Sequence, residues 1–413
     1  MVNKVVLHIA DSLSGGGAES VFRSTLWELR KRQGWNHLIA CMNSEIYTDF
    51  QIDLIFPPTS FLVYSRKNYA LIRKFMSVKK PDVIHIQNFG GLTPSIFRAV
   101  YRYKKEEKNK GRKIKVINTS HSFFWNCSHG AAIDYRKGIP CTDCSNDRYR
   151  KKIFYRGCSR CGYLHSIGKG LVSLQMDYFL DKKLFDYCLT PSDFCSDLVK
   201  KRFPYQKVIT VRNPLSESFF DIFNSINPSE KEERIVYFGR LSREKNPALL
   251  LEAFSILKQD TKYKGTFLEF IGDGDELSSL QKMVTEKAIP NVIFTESLCH
   301  EELKKHLRKA KVSVVPSISY ETAGLAIPES ISMGIIPIVT NHGGLRENID
   351  LFDWNFSFEF NNANDLSLKI AEALENHSAC WSNFEPSLKK IKEIMNGEAY
   401  ADRLLAIYRD DEY

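Results

Sequence analysis

Nowhere does an apolar run approach the ~20 residues that a membrane-spanning helix requires, so an integral helical membrane protein is excluded. The N-terminus carries Lys4 and a short apolar run. His8 and Asp11 interrupt that run, and no small-residue cleavage site follows. It therefore reads as a strand rather than a secretory signal. The expectation is a cytoplasmic chain whose ten cysteines are mostly reduced. There is no internal repeat with a period of 20–50 residues, which argues against a solenoid or propeller, and no low-complexity tract. GxGxxG is missing, and so is the Gly-Lys-Ser/Thr of a P-loop, so neither the dinucleotide nor the NTPase fingerprint applies.

What the chain does have is the content of a globular protein, with 43% hydrophobic and 12% aromatic residues. At 413 residues it suits two domains rather than one core. The formal charge of +9 is clustered, largely in 102–115 and 148–156. Those clusters are either solvated faces or a surface attracted to anionic lipid or a phosphate-bearing acceptor. They match no nucleic-acid-reading motif.

Apolar runs alternate with helical periodicity. Strands are expected at 4–9, 37–42, 82–86, 115–119, 185–190 and 207–211, with helices at 18–33, 95–105 and from Ser192 to Arg202. Residues 215–233 are polar and read as a linker. The alternation then restarts, with strands at 234–238, 266–271 and 292–294 and a helix opened by Asn246-Pro247. The fold class is α/β: two doubly wound parallel-sheet, Rossmann-like domains facing across a cleft. The expected divisions are 1–214 as the N-terminal domain with a Cys-rich insertion at about 122–165, 234–396 as the C-terminal domain, and a tail helix in 397–413.

The stretch from Tyr320 to Gly344 concentrates chemistry. A buried strand from Lys311 to Pro316 precedes it, so Glu321 stands at a strand's carboxyl end. Ala323, Gly324 and Leu325 form a tight loop whose amides open a helix expected to run to Met333, and Glu329 lies one turn inside it. A helix start on that sheet edge suits an anion. Two acids beside an anion site suit a ligand with both phosphate and hydroxyls, such as a nucleotide sugar. Arg240 and Lys245, on the loop after the 234–238 strand, are either ordinary surface cations or a diphosphate clamp. Gly15, Gly16 and Gly17 are either a bare turn or a close backbone approach to a ligand. His121 follows the strand at 115–119 and is either structural or delivered into the cleft, whereas His85, inside an apolar strand, reads as structural.

Cys141-x-x-Cys144 and Cys158-x-x-Cys161 enclose thirteen residues, with Cys127 upstream. In a reduced compartment this spacing points to a structural zinc site closed by four thiolates; the alternative is loosely packed thiols. Spacing does not decide which four of the five would bind.

With these residues in view, the chain resembles GT-B glycosyltransferases of the large retaining family 4, the glycosyl transferases group 1. The resemblance spans nearly the whole chain and is strongest in the second half. It rests on Gly15-Gly-Gly-Ala-Glu19, Asn213-Pro214, Gly239-Arg240 with Lys245, Gly272-Asp-Gly274, the Glu321-x7-Glu329 pair, Gly334-x-x-Pro337 and Gly343-Gly344-x-x-Glu347. Ala323 stands where many members have Phe, and Ser330 where many have Ala. The resemblance implies an N-terminal acceptor-side domain, a C-terminal nucleotide-sugar donor domain and a tail helix that packs back on the N-domain. It implies Glu321 near the donor sugar's reacting carbon and Glu329 on the ribose hydroxyls. Arg240, Lys245 and the Ala323–Leu325 amides would hold the diphosphate, and His121 would line the N-domain wall. No catalytic metal is implied. The implied activity is hexosyl transfer with retention of configuration onto a glycan or lipid-linked acceptor in surface polysaccharide synthesis, with peripheral contact at the inner face of an anionic membrane. Two other readings compete: a sugar-nucleotide epimerase on the same fold, and a non-catalytic metal-stabilised scaffold at the membrane.

Overall fold

A computed structural model describes residues 4–13, 15–42, 50–57, 64–88, 90 and 92–411. The chain divides into two compact units, 1–214 together with 397–413, and 215–396.

In the first unit the strands in chain order are β1 (Lys4–Ala10), β2 (Trp35–Cys41), β3 (Leu54–Ile55), β4 (Val83–Gln87), β5 (Lys115–Thr119), a small hairpin of β6 (Ile133–Asp134) and β7 (Ile139–Pro140), then β8 (Tyr187–Thr190) and β9 (Val208–Thr210). The main sheet has the order β3-β2-β1-β4-β5-β8-β9, and its pairings are parallel. β4 and β5 are buried along their whole length, as a sheet covered on both faces demands. Helix Asp193–Arg202 starts where Ser192 Oγ accepts the Cys195 amide, the ordinary satisfaction of a first-turn donor.

The helix Gly397–Arg409 returns to this unit. Tyr400, Ala401, Leu404, Leu405, Ile407 and Tyr408 pack with Val6, Leu29, Val83, Ile117, Leu189 and Val211. Tyr408 Oη lies 2.6 Å from His85 Nδ1, and Lys115 Nζ donates to the Ile407 and Tyr408 carbonyls at 2.7 and 3.0 Å. The tail thereby caps buried polar groups as well as apolar surface.

The second unit holds β10 (Arg234–Phe238), β11 (Phe267–Ile271), β12 (Val292–Thr295), β13 (Val312–Val315), β14 (Ile336–Thr340) and β15 (Ser357–Phe358), in the all-parallel order β12-β11-β10-β13-β14-β15. The winding reverses between β10 and β13, the point where open α/β sheets bind ligands. Residues 215–233, read from composition as a linker, pack into this unit. Leu215, Phe219 and Ile226 join its core, and the buried Lys231 Nζ donates to the Ala310 and Met333 carbonyls at 2.9 and 2.6 Å.

Among the helices that composition did not reveal are Arg66–Lys79 and Gly162–Asp181. The second runs on from the cysteine segment and leaves Leu164, Leu171, Leu174 and Tyr178 exposed, so its apolar residues do not fall on one buried stripe. Asn246 sits at the cap position of helix Pro247–Leu257, but in the left-handed region and without a side-chain cap bond. Proline at the first helical position has no amide to satisfy, and the Leu249 amide donates to the Asn246 carbonyl at 3.2 Å instead.

Candidate functional site

The loops after β10 and β13 are neighbours because their strands pair, Ile235 beside Val312 and Val236 beside Ser313. Backbone bonds join them directly, with the Ile318 amide donating to the Glu244 carbonyl at 2.9 Å. This brings Lys245 to Glu321, Nζ to Oε1 at 2.5 Å, and Ser317 Oγ donates to the same oxygen at 2.7 Å. The Glu321 side chain is 15% exposed and that of Lys245 34%. Burial works to raise the Glu321 pKa, but the Lys245 ammonium and the Ser317 hydroxyl outweigh it and hold the carboxyl below its ordinary value. Glu321 is therefore a carboxylate with a cation already in contact.

Glu329 is different. It lies in helix Ala326–Ser332, and burial pushes its pKa up to about 8. The two acids of the pair sit one loop apart in opposite protonation states at neutral pH, because one has a cation and the other has only its desolvation.

The expected helix from Leu325 to Met333 is shorter by one residue at each end, seven residues in all. Its start is held by Gly324, with φ +56°, and by the Ile327 amide donating to the Gly324 carbonyl at 3.0 Å. The Ala323 carbonyl accepts from Asn348 Nδ2. Ala323, Gly324 and Leu325 thus form a fixed turn beside Glu321. The next helix, Gly343–Leu351, opens against the same loop. The Gly344 amide donates to the Glu321 carbonyl at 3.2 Å, and a Cβ on Gly344 would come within 2.2 Å of that oxygen.

Arg240 follows β10 and is exposed; its carbonyl accepts from Tyr237 Oη at 2.6 Å. The turn after β11 closes on the same loop. A Cβ on Gly272, whose φ is +144°, would lie 2.0 Å from the Gly239 carbonyl oxygen, so only glycine permits this approach. Arg240, Lys245, Glu321, the Ala323–Leu325 turn and Glu329 therefore share one edge of one sheet.

Three contributors escaped the reading of the sequence. Ser317 orients Glu321. His342 Nε2 lies 3.0 Å from the Ser317 carbonyl, and its ring packs on Tyr320 at 4.9 Å between centroids. Tyr237 supports the Arg240 backbone. His342 directly precedes Gly343-Gly344, and that adjacency was the one available signal.

The first-unit residues lie at their own sheet edge. Gly15 has φ +141°, Gly16 is the cap residue and Gly17 begins helix Gly17–Arg30; Ser14 of this loop lies outside the described residues. His121 follows β5, and burial lowers its pKa to about 4. His85 is buried within β4, bonded to Thr119 Oγ1 at 2.7 Å as well as to Tyr408.

The cysteine segment has few regular elements between β5 and helix Gly162–Asp181. It gathers Cys127, Cys141, Cys144 and Cys158, with His129, around one small cavity. Cys161, expected among the ligands, is exposed and does not line it; it stands at the cap position of the Gly162–Asp181 helix without a side-chain cap bond. Burial would raise the Cys127 pKa, but the adjacent His129 holds it at about 6, and against burial Cys127 raises His129 to about 10. Among the described residues, no group of three or more Cys, His, Asp or Glu side chains stands ready to hold a metal ion. Among the same residues, no helix is long and apolar enough to cross a membrane.

Comparison with known proteins agrees with this architecture. A glycosyltransferase structure from Rickettsia africae superposes with a TM-score of 0.69 at 16% identity, covering 99% of this chain and 98% of that one. Anabaena HepE in complex with UDP-glucose superposes with a TM-score of 0.70 at 11% identity, covering 98% and 99%. The two parallel-sheet units thus have the GT-B fold. An uncharacterized glycosyltransferase of Bacillus subtilis, YqgM, is 32% identical over 119 residues, 28% of this chain and 32% of that protein. The chain spans about a third of the length of the curated relatives it matches. The stretch 218–392, which holds the Lys245–Glu321 pair and Glu329, matches the model of the family described as Glycosyl transferases group 1.

Proposed function

We propose that this chain is a glycosyltransferase that moves a sugar from a nucleotide-sugar donor, bound at the β10/β13 edge, to a glycan or lipid-linked acceptor. The observation that carries this reading is the Lys245–Glu321 contact at the point where the winding of the second sheet reverses. In the free chain Glu321 holds Lys245. An arriving diphosphate draws the ammonium toward itself, and Arg240, on the adjoining loop, adds a second cation. As the bond between the sugar's anomeric carbon and the β-phosphate oxygen breaks, the electron pair leaves with the diphosphate. Lys245, Arg240 and the amides of the Ala323–Leu325 turn stabilise that charge where it develops. Glu321, released from its cation, faces the positive charge building on the sugar ring. Glu329 accepts the ribose hydroxyls.

Retention of configuration follows in this reading from an acceptor hydroxyl that attacks on the face the nucleotide leaves, its proton passing to the departing diphosphate oxygen. His121 serves as the first unit's contribution near the acceptor, and Gly16 and Gly17 as its close-approach backbone. A role in surface polysaccharide assembly, at the inner face of an anionic membrane, has its support in a groove of about 780 Å³ in the first unit. Arg98, Arg102 and Lys105 line it beside Leu174 and Tyr178, and charged stems beside exposed apolar side chains suit a lipid headgroup surface.

The test is donor hydrolysis and transfer. Incubation with UDP-, GDP- and ADP-sugars and a membrane extract as acceptor source should release one nucleotide specifically. Lys245→Ala and Glu321→Ala should abolish release while the circular dichroism spectrum stays unchanged. Full turnover by both variants sinks the proposal. Flotation with anionic but not zwitterionic vesicles tests the membrane contact.

A further inference from the structure

The cysteine segment plays no part in the chemistry above, yet it is built to an unusual plan. Between Ser120 and Cys161 the chain has only a two-residue hairpin pair, one short turn and a five-residue helix. It is nonetheless well buried, with Trp125, Ala132 and Ile133 at 1%, 2% and 1% exposure. Four thiols and an imidazole meet inside it. They come from three stretches that backbone bonds tie together: the Cys141 amide donates to the Ala132 carbonyl at 2.9 Å, and the Tyr135 amide to the Cys158 carbonyl at 3.0 Å.

The cavity among them measures about 20 Å³. That is room for one water-sized particle, and a group of thiols is a poor host for water. We propose that this cavity is a structural site for one zinc ion, held by Cys127, Cys141, Cys144 and Cys158, with His129 donating its N–H to the Cys127 thiolate. The ion is of the zinc class because four soft thiolates select it, and a four-thiolate set leaves no open position for catalysis.

The Cys127 Sγ to His129 Nε2 distance is 3.5 Å, the length of an N–H···S contact, and histidines and other donors around metal ligands serve this orienting purpose. Arg150 and Arg202 supply further positive charge. Both are buried, and they share the single carboxylate of Asp177 at 2.8 and 2.5 Å. That leaves a surplus cation near a site whose thiolates outnumber the charge of the ion. The thiols do not yet converge on a point. The site requires rotation about their Cα–Cβ bonds to close the set around the cavity they already line. The ion then supplies the order that this segment, almost without ladders, cannot obtain from secondary structure.

Elemental analysis of the purified full-length chain, expressed with zinc in the medium, should find about one zinc per chain. Cys127→Ser and Cys144→Ser should lose it, and Cys161→Ser should keep it. Should the serine variants fail to fold, titrating the wild-type thiols with an organomercurial in the presence of a chromogenic chelator should release about one zinc per chain. A wild-type chain without stoichiometric zinc overturns the site. So does zinc that survives Cys127→Ser and is lost in Cys161→Ser, which would return the ligand set to the two Cys-x-x-Cys pairs.

Discussion

Donor binding should release a proton from Glu329. Burial pushes this carboxyl up to about 8, so at pH 7 about nine-tenths of free molecules carry the proton. Ribose hydroxyls that donate to the carboxylate favour its charged form and return its pKa to about 4 to 5, the ordinary range. Binding at pH 7 then releases about 0.9 proton per complex from this group, about 0.5 at pH 8 and about 0.1 at pH 9. The sign follows: the free state holds more protons, so affinity rises with pH, by about tenfold per unit well below pH 8, and levels off above it. In the free chain Glu321 is already ionised across this window, because Lys245 holds it below the ordinary carboxylate value, and a proton it takes up when Lys245 turns to the diphosphate is common to wild type and Glu329→Gln.

The assay is titration calorimetry with UDP, GDP and ADP in buffers of different ionisation enthalpy, with the slope of observed enthalpy against buffer enthalpy giving the protons released. Glu329→Gln should bind with no contribution from this residue, and subtracting its slope removes the nucleotide's own phosphate ionisation. Identical slopes for wild type and Glu329→Gln at pH 7 would refute the reasoning, showing that Glu329 is either ionised beforehand or untouched by the nucleotide.

Removing the leaving-group cation by Lys245→Met should lower kcat by about 10²–10³, read as nucleotide release under saturating donor; a loss confined to KM would move Lys245 out of the reacting centre. Gly344→Ala forces a Cβ to within 2.2 Å of the Glu321 carbonyl; thermal unfolding should show a stability loss of about 1–3 kcal/mol, and an unchanged Tm would mean the loop yields freely. In the first unit, burial lowers His37 to about 4 and His85 to about 3, Arg30 also acting on His37 and His121 on His85. Both bind protons later than an unfolded histidine, so stability is full above about pH 6.5 and falls by about 1.4 kcal/mol per pH unit per group below it. From pH 6.5 to 5 the two together remove on the order of 4 kcal/mol, above the range where carboxylates titrate. Scanning calorimetry showing no drop in Tm across that interval would contradict it.

The elements that sequence reading places best are those whose periodicity is fixed by two-sided burial. β5 and β10 sit at the expected residues because lysine or arginine marks the entry and apolar side chains must fill both faces. Helix Gly162–Asp181 is hidden for the opposite reason. It exposes Leu164, Leu171, Leu174 and Tyr178, so the contrast between faces on which periodicity depends is blurred. The same limit applies at the site. Spacing can put Glu321 and Glu329 on one loop and helix, but it treats them as two like carboxylates. Their difference depends on Lys245, 76 residues earlier, reaching one acid and not the other across a strand pairing that only the sheet order reveals. The cysteines follow the same rule. Two identical Cys-x-x-Cys spacings look equivalent, yet Cys161 is turned outward by the start of a helix, while Cys127, in no motif, is brought inward by the Phe123 and Gly130 backbone bonds around it. Which cysteine of a repeated motif lines the cavity depends on the element that follows it.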